Sequence, residues 1–273
     1  MDQKRCVALI MAANRKGGAN PVAEQAGVSH KCLTQLAGIT MIERVLRVIR
    51  SSGRFHRLIV SIEDSNLFEN IPYICQLVES GQLEIIESKE TLEGSAIAVA
   101  SRLAEADYPL FITTADNVLH TEGVISGFID EAHASGVDVA FALTPRSVVE
   151  SAYPSEAPTI GYLKFADGDH SNCNVYYLRD SGALRAVKVM RYGGQFRSHP
   201  WRILRAVGLG TLIRYKLGLL TLEDLLKRLR NLFNLSIGII IIRMAEAPID
   251  VDGSESLVLA ERILSLREAR NAA

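Results

Sequence analysis

The sequence has no excess of charge of either sign. Its 30 lysine and arginine residues are balanced by 31 aspartate and glutamate residues, for a formal net charge of -1. This balance provides no global basic field, so we expect no nucleic-acid partner. Long uncharged apolar runs are missing as well. The strongest candidate, 235–242, is far shorter than the roughly 20 residues that a membrane span requires, and it predicts a buried strand instead.

Cysteine is scarce too, and no C-x-x-C spacing occurs among Cys6, Cys32, Cys75 and Cys173. This argues against a zinc knuckle and against a redox pair. Residues 1–5 lead directly into an apolar segment that is too short for a secretory signal. We therefore expect a reducing, cytoplasmic environment.

The sequence does contain a regular alternation of apolar runs and helical patterns. Strands are predicted at 7–12, 58–62, 83–86, 109–113 and 137–143, and helices at 41–52, 95–106 and 123–135. This alternation predicts a three-layer α/β/α fold around a mainly parallel, mixed sheet. Ligands bind beyond the carboxyl ends of the strands in such sheets, which directs attention to the loops after Ala12, Ile86 and Thr113.

The regular alternation of predicted strands and helices ends in the second half of the chain. Strands at 159–165 and 174–178, joined by a turn at 167–169, precede a helix-rich stretch. A strand at 237–243 and a helix at 254–267 follow. Because no linker, repeat or low-complexity segment is present, we expect a single domain over residues 1–273 with a helical insertion at about 182–233.

The loop predicted at 15–27, after the first strand, combines glycines with basic residues. Arg15, Gly17 and Gly18 lie within it, and Lys31 follows further along the chain. Backbone N–H groups in such a loop can turn toward phosphates, and nearby cations neutralise their charge. The alternative is an ordinary flexible surface loop, and the segment by itself leaves both interpretations open.

Acidic residues occupy two positions that suit a metal site. Asp116 follows a predicted buried strand, and Mg²⁺ prefers oxygen ligands that include one or two carboxylates. Asp250 and Asp252 alternate along the chain, so in an extended segment both face the same way. Asp252 either pairs with Asp116 on a metal or caps the last predicted helix. For Asp116 the alternative role is that of a helix N-cap or turn residue.

Taken in order, these segments resemble the MobA-like nucleotidyltransferases, a family with a Rossmann-like fold of the GT-A type. Residues 9–18 together with Lys31 resemble its signature L-A-x-G-x-G-x-R followed by P-K, although Asn14 replaces a glycine and His30 replaces the proline. Further resemblances cover 36–45, the base-side loop 93–95, the metal-aspartate motif 114–117 and the terminal acidic segment 250–257.

The resemblance implies a role for each matching residue. Arg15 and Lys31 would stabilise the triphosphate, while Asp116 and Asp252 would bind Mg²⁺. Nucleotide contacts would come from Ala12, Ala13, Asn14, Gly17, Gly18 and Ser95, and acceptor contacts from Ser171 and Asn174.

The implied reaction transfers a nucleotidyl group from a nucleoside triphosphate to a phosphorylated sugar, polyol or similar small acceptor and releases pyrophosphate. A GT-A-type glycosyltransferase is one alternative, but its D-x-D usually lies at mid-chain, whereas here the D-x-D is at 250–252. A non-catalytic nucleotide-binding protein is the other alternative, which the altered glycine loop favours slightly.

Residues 200–233 form a strongly basic region, with seven basic residues against two acidic ones and leucines between them. A basic helical segment with an apolar face can lie on an anionic membrane surface or dock a membrane enzyme. We therefore include a peripheral membrane contact among the expected partners. The alternative is that the apolar face packs on the protein's own sheet.

Overall fold

The computed structural model describes residues 5–14, 20–192 and 207–272. Ten strands lie in these ranges: β1 Cys6–Met11, β2 Gln35–Leu36, β3 Ile39–Thr40, β4 Phe55–Ile62, β5 Leu83–Glu87, β6 Leu110–Thr114, β7 Val139–Pro145, β8 Leu163–Phe165, β9 Gly168–Leu178 and β10 Ile237–Ile241. The short strands β2 and β3 pair only with each other, and the other eight form the central sheet.

Helices alternate with these strands in the described ranges. They are α1 Pro21–Ala26, α2 Met41–Ser51, α3 Pro72–Glu79, α4 Leu92–Ala100, α5 Glu122–Ser135, α6 Arg146–Ala152, α7 Leu209–Lys216, α8 Leu222–Phe233 and α9 Ser254–Ala272. Segments of 3₁₀-helix occur at Lys31–Leu33, Ser65–Phe68, Glu105–Asp107, Ala157–Thr159 and Ser181–Tyr192.

The central sheet has the order β10-β7-β9-β6-β1-β4-β5, with β8 paired to β9. Strand β9 runs antiparallel to both of its neighbours, β6 and β7, whereas the pairings among β6, β1, β4 and β5 and between β7 and β10 are parallel. Helices cover both faces of the sheet. This architecture confirms the predicted three-layer α/β/α fold with a mainly parallel, mixed sheet.

Strand β1 shows why the centre of the sheet is apolar at every position. All of its residues are buried. Ala8 and Ile10 join the apolar cluster beneath α2, α5 and α9, while Val7 and Leu9 join the cluster beneath α4 and α8. A strand that is covered on both faces requires a continuous apolar run rather than alternation.

Local capping explains where the structure departs from the predicted helices. Helix α4 begins at Leu92, because the Thr91 side chain accepts a hydrogen bond from the Gly94 N–H, and it ends at Ala100. The predicted helix at 95–106 was therefore placed too far along the chain. Helix α1 lies inside a segment that was predicted to be a loop; Asn20 caps it and Pro21 occupies its first turn. Helices α3 and α6 were not predicted.

The predicted strand boundaries in the second half were also wrong. Strand β8 begins only at Leu163, because 157–159 forms a 3₁₀ turn, and β9 begins at Gly168 rather than at 174. Within the predicted insertion, the described residues are helical over Ser181–Tyr192, α7 and α8. Among the helices that the structure describes, none combines the length and the apolar character needed to cross a membrane.

Candidate active site

The carboxyl ends of β1 and β6 meet at one edge of the sheet. The N–H of Ala115 donates to the Met11 carbonyl at 3.0 Å, so Asp116 follows immediately beyond this edge. The N–H of Val251 donates to the Asp116 carbonyl at 3.2 Å. This hydrogen bond, together with the complete burial of Val251, holds segment 250–252 against the end of β6.

Three carboxylates and one ammonium group converge at this edge. Ligand oxygens of Asp116, Asp250 and Asp252 all lie within 4.8 Å of one another. The Nζ of Lys31 lies 2.5 Å from Oδ2 of Asp116 and 2.6 Å from Oδ1 of Asp252. The Asp252 side chain is 54% exposed and that of Asp116 only 14%, so the cluster opens to solvent on the Asp252 side.

The charges in the cluster depend on one another. Burial acts to raise the pKa of Asp116, but the Lys31 ammonium and a hydrogen bond from Thr114 hold that pKa below its ordinary value. Burial acts to lower the pKa of Lys31. The carboxylates of Asp116 and Asp252 outweigh the effect of burial, so the pKa of Lys31 lies above its ordinary value. Burial and then the charges of Asp116 and Asp252 raise the pKa of Asp250 to about 7. Lys31 and Asp116 are therefore charged at neutral pH, whereas the raised pKa of Asp250 places its ionisation near neutral pH.

Asn14 ties the Lys31 backbone to the loop after β1. The Asn14 Oδ1 accepts a hydrogen bond from the Lys31 N–H at 3.3 Å, and its Nδ2 donates to the Ser29 carbonyl at 3.2 Å. Asn14 has no left-handed backbone angle, unlike a residue that simply replaces a turn glycine. Its side chain instead connects the two segments that carry the candidate phosphate-binding residues.

Asn174 reaches the cluster because β9 bulges beside it. Phe141 of β7 pairs with Tyr176 of β9, and the next pair along is Leu143 with Asn172. Between these two pairs β7 has one residue and β9 has three, so β9 carries two extra residues there. The backbone of Asn174 is left-handed, with φ 53°, a conformation that asparagine tolerates better than most residues. Its Nδ2 lies 3.4 Å from Oδ2 of Asp250. A bulge of this kind re-aims a side chain, here toward the carboxylates.

Two further asparagines belong to this arrangement; both lie in segments that the sequence singled out, 114–117 and 171–174, but neither was given a role of its own in the site. Asn117 is buried, and its Nδ2 donates to Thr114 Oγ1 and lies 3.4 Å from Asp116 Oδ1. The Nδ2 of Asn172 donates to Asn174 Oδ1 at 2.9 Å and to Tyr176 Oη at 2.7 Å. The Asn172/Asn174 pair was visible in the sequence as two amides at alternating positions. Its approach to Asp250 required knowledge of the bulge.

The remaining predicted site residues fall into three groups. Ala12 is buried and Ala13 half-buried, directly beyond β1. Ser95 and Ser171 are buried and bonded to local backbone: the Ser95 hydroxyl accepts from the Lys89 N–H at 2.8 Å, and the Ser171 hydroxyl donates to the Gly161 carbonyl at 2.8 Å. Three predicted residues lie outside the described part of the chain: Arg15, Gly17 and Gly18.

The fold is that of a nucleotidyltransferase-like α/β protein. A hypothetical transferase from Thermus thermophilus superposes with a TM-score of 0.73 and 20% identity, over 93% of this chain and 99% of that one. CMP:2-keto-3-deoxy-manno-octonic acid synthetase complexed with CTP has a TM-score of 0.58 and 14% identity, over 97% and 100%. 4-Diphosphocytidyl-2C-methyl-D-erythritol synthase from Anaerococcus prevotii has a TM-score of 0.57 and 12% identity, over 96% of this chain and 99% of that one.

The sequence itself assigns the family. Residues 9–199 match the MobA-like NTP transferase domain, and the chain therefore belongs to this family of nucleotidyltransferases. The resemblance found in the sequence motifs is thereby confirmed. No curated protein sequence matches the chain.

Proposed function

We propose that this protein is a Mg²⁺-dependent enzyme that transfers a nucleotidyl group from a nucleoside triphosphate to a phosphorylated sugar, polyol or similar small acceptor. The observation that carries the proposal is the convergence of Lys31 with Asp116 and Asp252 at the ligand-binding edge of the sheet. The chain's membership of an NTP transferase family supports the same reaction.

The side chains of the cluster fit a hard divalent cation. The donors are all carboxylate oxygens within 4.8 Å of one another, and Mg²⁺ prefers oxygen ligands. Asp116 and Asp252 are the residues that would hold the ion, with Asp250 behind them. When bound, Mg²⁺ supplies charge neutralisation at the phosphates.

The protein's own groups position and neutralise the reactants. An oxygen of the acceptor phosphate attacks the α-phosphorus in line, a new P–O bond forms, and the bond to the β-phosphate breaks to release pyrophosphate. The attacking phosphate is already ionised, so the step requires orientation rather than a protein base. Arg15 and Lys31 stabilise the triphosphate and the leaving pyrophosphate, because positive charge offsets the negative charge that accumulates on these groups.

The remaining contacts divide between nucleotide and acceptor. Base and ribose lie against the loop after β1 and the start of α4, at Ala12, Ala13 and Ser95. The acceptor lies against the bulge of β9, where the Asn174 amide faces the cluster. Ser171 supports that side through its hydrogen bond to the Gly161 carbonyl.

A pyrophosphate-release assay tests this function. Each of the four common nucleoside triphosphates is incubated with a panel of sugar and polyol phosphates, with Mg²⁺ or with EDTA. We expect pyrophosphate release that requires one triphosphate, one class of acceptor and Mg²⁺. Cleavage of a sugar nucleotide without pyrophosphate would indicate a glycosyltransferase. Nucleotide binding without turnover on any acceptor would indicate a non-catalytic protein.

The proposal includes contact of residues 200–233 with an anionic lipid surface. In the described part of this segment, Leu209, Ile213, Leu217 and Leu219 are 66%, 49%, 66% and 58% exposed. Residues 207–233 also carry five basic residues against two acidic ones. Exposed aliphatic side chains beside excess positive charge suit the interface of an acidic bilayer.

Flotation with vesicles of acidic lipid tests this contact at low and at physiological salt. We expect the wild-type protein to float, and the double variant Leu209→Ser/Leu217→Ser to remain at the bottom of the gradient. Val258→Ser is the matched control, because Val258 is 62% exposed on α9; this variant should float like the wild type. Wild-type protein that stays at the bottom in both salts refutes direct membrane binding.

A further inference from the structure

Lys31 contacts two of the three carboxylates that could hold a divalent cation. Its Nζ lies 2.5 Å from Asp116 Oδ2 and 2.6 Å from Asp252 Oδ1, and both carboxylates belong to the three-carboxylate cluster. An ammonium group and a metal ion cannot occupy the space between the same two oxygens at such distances. The two cations are therefore competitors for one position.

We propose that Lys31 is a tethered cation that divalent metal displaces from Asp116 and Asp252, which frees its ammonium group for the triphosphate. The inference rests on the proposed function and deepens it. It makes metal binding and the availability of the phosphate-binding lysine a single coupled event.

The backbone around Lys31 is anchored by contacts that do not involve its side chain. The Lys31 N–H donates to Asn14 Oδ1, Lys31 begins a 3₁₀ segment, and the following residue, Cys32, is buried. On the preceding side, His30 Nε2 lies 3.6 Å from Glu63 Oε2. Lysine has a flexible four-carbon stem, so its charge can move several ångströms while these contacts persist.

The charge balance of the cluster gives the exchange its driving force. Three carboxylates lie together, and among the residues that the structure describes Lys31 is the cation in contact with two of them. Like charges at this separation repel, and a single positive charge offsets only part of the repulsion. A divalent ion offsets more, so it replaces the ammonium group. Once a triphosphate binds, the displaced ammonium group of Lys31 is most stable in contact with it.

Binding of Mn²⁺ alone, without nucleotide, tests the displacement. We expect Lys31→Met to bind Mn²⁺ at least about tenfold more tightly than the wild type, because the internal competitor is gone. In EDTA the same variant should unfold at a lower temperature, since two carboxylates lose their partner, and Mn²⁺ should raise its unfolding temperature more than that of the wild type. Both readouts are independent of turnover.

Two control variants separate competition from a general effect of charge. Lys31→Arg retains a cation at the position and should return the Mn²⁺ affinity to about the wild-type value. Lys89→Met removes an exposed positive charge just beyond β5, on the same edge of the sheet, and should leave Mn²⁺ binding unchanged.

The outcomes also separate this inference from the proposed function. If Lys31→Met binds Mn²⁺ no more tightly than the wild type, while the wild type shows Mg²⁺-dependent pyrophosphate release, the displacement is refuted and the function stands. If Asp116→Asn binds Mn²⁺ as tightly as the wild type, both the metal site and the displacement are refuted.

Discussion

His120 gives a quantitative test of how the segment that carries Asp250 and Asp252 is held in place. Its Nε2 lies 3.0 Å from the Ala247 carbonyl, and since a carbonyl only accepts, this nitrogen donates. The residue is only 5% exposed. Burial lowers the pKa of His120 to about 4, and Arg267 adds to the lowering, against the opposing effects of backbone hydrogen bonds and of Asp116.

The pKa difference fixes both the sign and the size of the effect. In the unfolded chain the histidine pKa is about 6.5. Above pH 7 the histidine is neutral in both the folded and the unfolded protein, so its protonation contributes nothing to stability. As the pH falls below about 6.5, the unfolded state binds a proton that the folded state excludes, so stability is lost down to about pH 4. The total loss is about 3 kcal/mol, of which about 2 kcal/mol falls between pH 7 and pH 5.

Urea denaturation of the wild type and of His120→Gln at pH 7, 6 and 5 measures this loss. Glutamine retains a donor for the carbonyl and has no proton to gain. The difference in the free energy of unfolding between wild type and variant should therefore shift by about 2 kcal/mol in favour of the variant from pH 7 to pH 5. A constant difference between wild type and His120→Gln would refute the argument.

Three further predictions concern the site directly. Asp116→Asn and Asp252→Asn should each reduce turnover by about 100-fold or more with an unchanged circular dichroism spectrum; near-wild-type activity of Asp116→Asn would rule out the metal assignment. Lys31→Ala and Arg15→Ala should each weaken use of the triphosphate in a titration, and unchanged nucleotide affinity and turnover in both would leave the loop a structural role only. Asn174→Gly and Asn174→Ala should both raise KM for the acceptor, and the alanine variant should be about 1 kcal/mol less stable than the glycine variant in urea denaturation, because glycine adopts the left-handed backbone freely; an acceptor KM unchanged in both variants would contradict the acceptor role.

The parts of the fold that follow local rules were predictable. Strand β1 is a continuous apolar run, α2 carries its apolar residues at helical spacing, and Asp116 follows a buried strand. Helix α1 also carried a readable signal, since Asn20 precedes Pro21 and Gly27 ends the helix with a left-handed backbone. That signal was masked by the neighbouring glycines at 17–18.

The composition of the site depended on contacts between distant parts of the chain. The approach of Asp250 to Asp116 follows from the hydrogen bond between the Val251 N–H and the Asp116 carbonyl, which no local pattern encodes. The position of Asn174 follows from the register of β9 against β7, which sets the bulge. The direct contact of Lys31 with both acids depends on the same tertiary arrangement.

The most direct test of the central claim follows the α-phosphorus itself. The protein is incubated with a nucleoside triphosphate labelled at the α-phosphate, Mg²⁺ and the preferred phosphorylated acceptor, and both products are separated. The proposed function predicts that the label moves entirely into the nucleotidylated acceptor, with one unlabelled pyrophosphate released for each molecule formed, and that Asp116→Asn suppresses both products together. Label recovered only in free nucleotide, or pyrophosphate formed without labelled acceptor, would contradict it.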